Sequence, residues 1–158
     1  MKVAINGFGR IGKLVFRAFL EKQIKNVDIV AINELGSLES SLHLLQFDST
    51  HGQLPFIIKK TKNGLRYNNN NITFFSERNP EMLPWKKLKI DVVLECSGVF
   101  ASKEKSYSHI KAGAKKVIIS APAKNADATI VQGVNNNILK KKHEIISNGS
   151  CTTNCLAP

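Results

Sequence analysis

Residues 3–12 read VAINGFGRIG, a short apolar run that leads into three glycines with G-x-G-x-x-G spacing. The next stretch carries apolar residues at Leu14, Val15, Ala18 and Phe19, which is helical spacing. A second apolar run, 27–32, ends in Asn33-Glu34. This order of strand, glycine turn, helix, strand and acid predicts a dinucleotide-binding unit of the Rossmann type.

Each part of this motif has a physical role. Gly7 permits the tight turn, Gly9 lets the backbone approach a pyrophosphate, and Gly12 lets the helix pack against the strand. The phosphates lie over the helix N-terminus, where free N–H groups favour negative charge. Glu34 can accept hydrogen bonds from the adenosine ribose and repel a 2′-phosphate, so the sequence predicts NAD rather than NADP. A glycine triplet alone is often only a tight turn, but here its surroundings agree with the dinucleotide interpretation.

The rest of the chain alternates apolar runs with helical patterns, which predicts an α/β fold with a doubly wound, mostly parallel sheet. We expect helices at 37–45 and 102–112, a helical turn at 79–85 and a polar loop at 47–52. A small antiparallel excursion is expected from strands at 55–60, 64–67 and 72–75, and further strands at 90–96, 116–120, 128–134 and 144–146. Ligands in such sheets bind beyond the carboxyl ends of the strands. Those ends carry Asn6, Glu34, Cys96, Ser97, Gly98 and Ser120.

Composition narrows the class of protein. The chain has 158 residues, of which 42% are hydrophobic, enough for one domain with a core. We expect no membrane span and no signal peptide, because Met1-Lys2 leads straight into the motif. Three cysteines favour a reducing cytosol over a disulfide framework. The net charge of +11 comes from scattered lysines without interleaved aromatic residues, which is typical of a solvated surface rather than a nucleic-acid groove.

Residues 147–155 read SNGSCTTNC and contain the candidate nucleophile, Cys151. Its neighbours are too small to block a substrate and offer hydroxyl and N–H groups to an anion. A helix beginning there would favour the thiolate. The alternative is a small-residue turn that holds a buried cysteine. Cys155 is expected to be a second buried thiol and Cys96 a packing residue; a Cys-x-x-x-Cys pair lacks two further ligands, so no metal is predicted.

Residues 5–12 and 150–158 together resemble the phosphorylating glyceraldehyde-3-phosphate dehydrogenases, as do 48–52, 76–80, 112–117 and 120–122. The resemblance covers the whole chain. It implies an NAD-binding domain over 1–148 and the start of a catalytic domain at 149–158. It also implies that Arg10 and Ile11 contact the pyrophosphate and that Arg78 and Ser120 line the cofactor groove. Cys151 would be the nucleophile, with Ser150 and Thr152 at the substrate and phosphate site.

The resemblance implies a function as well: NAD-dependent oxidation of glyceraldehyde 3-phosphate with inorganic phosphate to 1,3-bisphosphoglycerate, by a cytoplasmic homotetramer. The nucleophile would form a thiohemiacetal and then a thioester. Two residues depart from the family pattern: Glu34 stands where Asp is usual, and Gly149 stands where Ala is usual and is expected to loosen the backbone. Erythrose-4-phosphate dehydrogenase and a non-catalytic dinucleotide- or RNA-binding module remain as alternatives.

The family's activating histidine lies beyond the nucleophile segment, so residues 1–158 alone are expected to bind NAD weakly and not to turn over. The chain would then be a fragment, a truncated gene product or part of a split enzyme. Four histidines precede Cys151, and all four are expected to be structural or solvent-facing: His43, His51, His109 and His143.

Overall fold

A computed structural model describes residues 1–158 and contains eleven strands and five helices. The first part of the chain forms β1 (Lys2–Asn6), α1 (Arg10–Glu21), β2 (Asp28–Asn33), α2 (Leu38–Gln46), β3 (Phe47–Asp48), β4 (Gly52–Gln53), β5 (Ile58–Thr61), β6 (Gly64–Tyr67) and β7 (Asn70–Phe75). The second part forms α3 (Trp85–Leu88), β8 (Val92–Glu95), α4 (Lys103–Lys111), β9 (Lys116–Ile119), β10 (Ala128–Thr129), β11 (Ile145–Ser147) and α5 (Cys151–Leu156). Short 3-10 turns lie at Pro80–Met82 and Asn136–Ile138.

Nine strands form one sheet in the order β10-β11-β9-β8-β1-β2-β7-β6-β5. All neighbours from β10 to β7 pair in parallel, whereas β5, β6 and β7 pair antiparallel. The doubly wound, mostly parallel sheet and its antiparallel excursion are therefore confirmed. The chain runs outward from β1 in both directions, through β2 on one side and β8 on the other. This reversal of strand order opens a crevice above β1, where ligands bind in such sheets.

Two hydrophobic cores cover the two faces of the sheet. Val3 and Ile5 point to the face covered by α1 and α2, where they pack with Phe16. Ala4 points to the other face, where Trp85 of α3 lies fully buried. Successive side chains of a strand face opposite sides, so a strand covered on both faces must be apolar at every position. This explains the continuous apolar runs of the sequence.

The boundaries of several predicted elements differ from the structure; the helical turn expected at 79–85, for example, is a 3-10 turn at Pro80–Met82 followed by the separate helix α3. The strand expected at 128–134 stops at Thr129 because the side chain of Asn135 turns the chain: it accepts from Val131 N at 2.7 Å and donates to Thr129 O at 3.0 Å. The loop expected at 47–52 closes with the short hairpin β3–β4. The strand expected from 55 begins only at Ile58.

The buried face of α1 is not the stripe of apolar residues that marked it as helical. Gly12, Phe16 and Leu20 are buried against the sheet, and Arg17 is buried toward the β3–β4 hairpin, where it donates to Gly52 O. The predicted stripe is only partly buried. Helical spacing identified the helix, but contact with the sheet decided its inward face. None of the helices is both long and apolar enough to cross a membrane.

Asp127 connects the start of β11 with the start of α4 through two hydrogen bonds and an ion pair. One carboxylate oxygen contacts Lys103 Nζ at 2.5 Å, and the other accepts from Glu144 N at 2.8 Å and Ile145 N at 3.0 Å. Partial burial acts to raise the pKa of Asp127. The hydrogen bonds and the lysine charge outweigh this effect and lower the pKa to about 2.

This depressed pKa makes the contribution of Asp127 to stability depend on pH. A carboxylate whose pKa is lower in the folded state stabilises the protein above its unfolded pKa, and the contribution is lost as the pH falls through the folded value. Asp127→Asn is therefore expected to lower the free energy of unfolding by about 1 kcal/mol at neutral pH, since solvent screens the partly exposed pair, and the difference from wild type should shrink between about pH 4 and pH 2. Urea unfolding at several pH values measures this. Asn substitution of the exposed Asp28 is the control, and a wild-type to Asp127→Asn difference that is independent of pH would contradict the assignment.

Candidate active site

The glycine turn and Cys151 lie at the same edge of the sheet. The strands β1, β8, β9 and β11 are parallel, so their carboxyl ends meet there. The glycine turn follows β1, and α5 begins at Cys151, just beyond β11. Three strand spacings separate β1 from β11, about 14 Å across the sheet. A ligand that extends over this edge can therefore reach from the turn toward the sulfur.

The three glycines of the turn meet different surroundings. A Cβ atom on Gly7, whose φ is +87°, would lie 2.5 Å from Ser97 Cα, and one on Gly12 would lie 2.2 Å from Gly7 O. A Cβ on Gly9 would meet no atom within 4 Å. Gly7 and Gly12 are thus required by packing within the chain. Gly9 instead leaves open space above the helix, where a pyrophosphate fits.

The first turn of α1 offers donors and positive charge to an anion. Gly9 caps the helix without a side-chain hydrogen bond, and no acidic residue occupies the first turn. Arg10 is half-exposed, with Nη1 2.6 Å from Asp48 Oδ2. Lys13 donates to Phe8 O; its burial lowers its pKa, while the charge of Glu34 acts in the opposite direction. This donor set suits a pyrophosphate.

The carboxylate of Glu34 lies against the glycine turn. Its Oε2 accepts from Phe8 N at 2.6 Å and its Oε1 accepts from Gly36 N at 3.1 Å. Each oxygen has a second lone pair, so the carboxylate can also accept from ribose hydroxyls. The extra methylene relative to aspartate lets the side chain reach the turn itself.

A groove of about 350 Å³ runs between the turn and the neighbouring strand ends. Six of the predicted cofactor residues line it: Asn6, Gly7, Gly9, Glu34, Arg78 and Ser97. The remaining five lie around it. Arg10 borders an adjoining depression and Gly98 another, Ile11 is half-exposed on α1, Gly12 lies under the turn, and Ser120 lies near enough to Cys96 to influence the pKa of its thiol.

Six further residues line the groove and were not assigned to the cofactor, although Cys96 was expected at the ligand-binding end of its strand: Asn33, Leu35, Glu77, Cys96, Val99 and Phe100. Asn33 ends a buried strand with a polar side chain, which is a signal that could have found it. Val99 and Phe100 follow the turn at Gly98, and their apolar side chains give no sequence signal of a ligand. Burial raises the pKa of Cys96 to about 11, against the effect of a hydrogen bond to Ser120, so its thiol stays protonated at neutral pH.

Cys151 is exposed at the first position of α5. The hydroxyl of Ser150 caps this helix by accepting from Thr153 N at 3.0 Å, and it lies 3.0 Å from the Thr152 hydroxyl. Asn154 Nδ2 donates to Asn148 O at 2.6 Å and to Ser150 O at 2.9 Å. The turn that presents the sulfur is therefore fixed by its own hydroxyl and amide groups.

Gly149 has a defined conformation in this turn. Its φ is +69° and its N–H donates to Ser147 Oγ at 3.1 Å. A positive φ strains other residues, so glycine relieves strain at a fixed position instead of only loosening the backbone. A Cβ atom would have room, since it would meet Val131 Cγ2 at 3.4 Å.

The expectation that Cys155 is buried is wrong. Its side chain is exposed, and no residue of α5 is buried.

The four histidines lie away from the sulfur or in the core. His43 and His51 are exposed, and His143 lies just before β11, at the edge of the sheet opposite the groove. His109 is fully buried on α4. No group of three or more His, Cys, Asp or Glu side chains is arranged to hold a metal ion.

Comparison with known proteins gives consistent matches. Residues 1–103 match the family model of the glyceraldehyde 3-phosphate dehydrogenase NAD binding domain. The plasmid glyceraldehyde-3-phosphate dehydrogenase of Cupriavidus necator is 52% identical over 160 residues, which cover 100% of this chain and 48% of that protein. The enzymes of Xanthobacter flavus and Pseudomonas aeruginosa are 49% and 48% identical over 100% of this chain and 47% and 48% of their own lengths. The chain thus spans about half the length of the curated relatives it matches.

Proposed function

Because the chain belongs to the glyceraldehyde 3-phosphate dehydrogenase family and carries its NAD-binding domain, we propose that its protein oxidises glyceraldehyde 3-phosphate to 1,3-bisphosphoglycerate with NAD and inorganic phosphate. The observation that carries the proposal is the position of an exposed Cys151 and an open glycine turn at one edge of the sheet. In this proposal residues 1–148 form the cofactor domain and 149–158 begin the catalytic domain.

Different residues around the groove bind different parts of the cofactor. The N–H groups at the start of α1, with Arg10 and Ile11, hold the pyrophosphate over Gly9. Glu34 binds the adenosine ribose and disfavours a 2′-phosphate, which selects NAD. Arg78 and Ser97 line the groove and Gly98 and Ser120 lie beside it, with Ser97 and Ser120 on the side toward Cys151.

Cys151 carries the covalent chemistry. Its thiolate attacks the aldehyde carbon, a C–S bond forms, and the former carbonyl oxygen takes a proton to give a thiohemiacetal. Bound NAD would supply the acceptor for the hydride that leaves the carbon, and with release of the hydroxyl proton to solvent the adduct becomes a thioester. Inorganic phosphate then attacks the thioester carbonyl, the C–S bond breaks, and Cys151 leaves as a thiolate. Ser150 and Thr152 offer hydroxyl donors to the substrate or phosphate beside the sulfur.

The family resemblance also implies a homotetramer in the cytoplasm, and we include both in the proposal. Size-exclusion chromatography with light scattering measures the assembly state of the protein.

The substrate preference tests the proposed reaction. We expect phosphate-dependent formation of NADH, with a higher kcat/KM for glyceraldehyde 3-phosphate than for erythrose 4-phosphate, measured by NADH absorbance on the protein that carries this chain. A higher kcat/KM for erythrose 4-phosphate would show that the proposed substrate is wrong and would favour erythrose-4-phosphate dehydrogenase activity. Tight NAD binding without turnover of either aldehyde would contradict the proposed reaction and favour a non-catalytic dinucleotide-binding module.

A further inference from the structure

Glu95 is a buried carboxylate that the proposed chemistry does not use. It ends β8, its side chain is 1% exposed, and it does not line the groove. Its Oε2 accepts from Asn6 Nδ2 at 2.6 Å and from His109 Nε2 at 3.0 Å. Its Oε1 accepts from Ser97 N at 2.7 Å and from the Ser97 hydroxyl. No lysine or arginine pairs with it, so hydrogen bonds alone compensate its burial.

The direction of these hydrogen bonds is fixed on the helix side. Trp85 Nε1 can only donate, and it donates to His109 Nδ1 at 3.0 Å. The other ring nitrogen of His109 must then carry the proton, which points at Glu95. The helix α4 therefore presents a donor to the carboxylate.

The direction is fixed on the strand side as well. Glu77 N donates to Asn33 Oδ1 at 2.9 Å, so the Asn33 amide group donates to Asn6 Oδ1 at 2.7 Å. Asn6 is then left with its own amide donor facing Glu95. Both chains of hydrogen bonds thus end on one oxygen of Glu95, while its other oxygen contacts the N–H and the hydroxyl of Ser97.

These contacts hold the groove in shape. The Ser97 backbone that Glu95 holds is the surface on which the glycine turn rests, since a Cβ on Gly7 would lie 2.5 Å from Ser97 N. The chain of hydrogen bonds runs from Asn6 through the Asn33 amide to the backbone oxygen of Glu77, next to Arg78. One carboxylate therefore connects the ends of three adjacent strands under the groove.

We propose that Glu95 is a positioning residue for the cofactor, which it serves by holding Asn6 and the Ser97 turn as the floor of the groove. This inference rests on the proposed NAD function. Ser97 lies on the β8 side of the crevice, toward Cys151, whereas Glu34 lies on the β2 side. Loss of the Glu95 contacts should therefore weaken ligand binding most on the β8 side.

The test is Glu95→Gln in the protein that carries this chain, with NAD and AMP as calorimetric probes. Glutamine keeps the shape but turns one acceptor into an amide donor, which faces the Asn6 and His109 donors at the Oε2 position or the Ser97 N–H at the Oε1 position. We expect the Kd for NAD to rise about 10-fold or more, and the Kd for AMP, which needs only the Glu34 side, to rise much less. Equal losses for both ligands, or no loss for either, would overturn the inference. Failure of the wild type to bind NAD would instead refute the proposed function.

A second variant tests the direction of the network. Trp85→Phe removes the donor that fixes the His109 tautomer, so in the double variant His109 Nε2 can accept from the amide group introduced by Glu95→Gln. We expect Glu95→Gln to cost less NAD affinity in the Trp85→Phe background than in the wild-type background. Strictly additive effects would contradict the hydrogen-bond direction. If Glu95→Gln does not fold, Glu95→Asp allows the same comparison of NAD affinity with AMP affinity, because the shorter carboxylate cannot reach Asn6 and Ser97 together.

Discussion

Replacement of Cys151 with serine is expected to lower kcat/KM for glyceraldehyde 3-phosphate by about 10³-fold or more, with NAD affinity unchanged. The exposed sulfur is the only proposed covalent nucleophile at the groove edge, and Cys96 is held as a protonated thiol by its burial. A serine hydroxyl stays protonated at neutral pH and is a much weaker nucleophile, so the covalent adduct no longer forms. NADH absorbance measures the rate, and calorimetric titration measures NAD affinity.

Cys155→Ser is the matched control for this variant. Cys155 is also exposed, on the same short helix and one turn further along. We expect it to keep the wild-type rate, because its sulfur has no role in the proposed chemistry. If Cys151→Ser kept the wild-type kcat/KM, or if Cys155→Ser lost as much activity, the assignment of the nucleophile would be wrong.

Alanine substitutions of Gly12 and Gly9 are expected to separate folding from cofactor binding. The new methyl group in Gly12→Ala would lie 2.2 Å from Gly7 O and 3.2 Å from Ile5 Cγ2. The helix or the turn must therefore shift, which should lower the free energy of unfolding by about 1–3 kcal/mol and weaken NAD binding as well. The methyl group in Gly9→Ala meets no atom of the chain. That variant should keep wild-type stability within about 0.5 kcal/mol while its Kd for NAD rises about 10-fold or more.

Urea unfolding and calorimetric NAD titration of both variants distinguish these effects. A loss of stability in Gly9→Ala equal to that in Gly12→Ala would show that the space over Gly9 is not open. Wild-type NAD affinity in Gly9→Ala would show that the pyrophosphate does not lie on this glycine.

The class of fold could be predicted because it depends on repeating local signals. Apolar runs of strand length alternate with helical spacing, and the glycine triplet occurs at the junction where a dinucleotide-binding turn needs it. Ser37 and Ser102 cap their helices as polar residues before helical stretches usually do, and both helices begin one residue later. Boundaries were less predictable where side chains ended a strand, as Asn135 does after Thr129.

The location of the candidate site was also predictable, since the carboxyl ends of parallel strands meet at one edge. The glycine turn, Glu34 and Cys151 all follow strands in the sequence, and the structure places all three there. The exposure of Cys155 and the identity of the buried face of α1 were not predictable. Both depend on which surfaces pack together, and spacing along one helix does not contain that information.

The sequence by itself determined the alternating strands and helices, the glycine turn with its acidic partner, and the small-residue setting of Cys151, because each is a local pattern within a few residues. Only the tertiary structure showed that Glu95 is the acceptor on which Asn6, Ser97 and His109 converge. The physical reason is that Asn6 and Glu95 are 89 residues apart in the chain. The pairing of β1 with β8 brings them together, and no local pattern encodes a hydrogen bond across that distance.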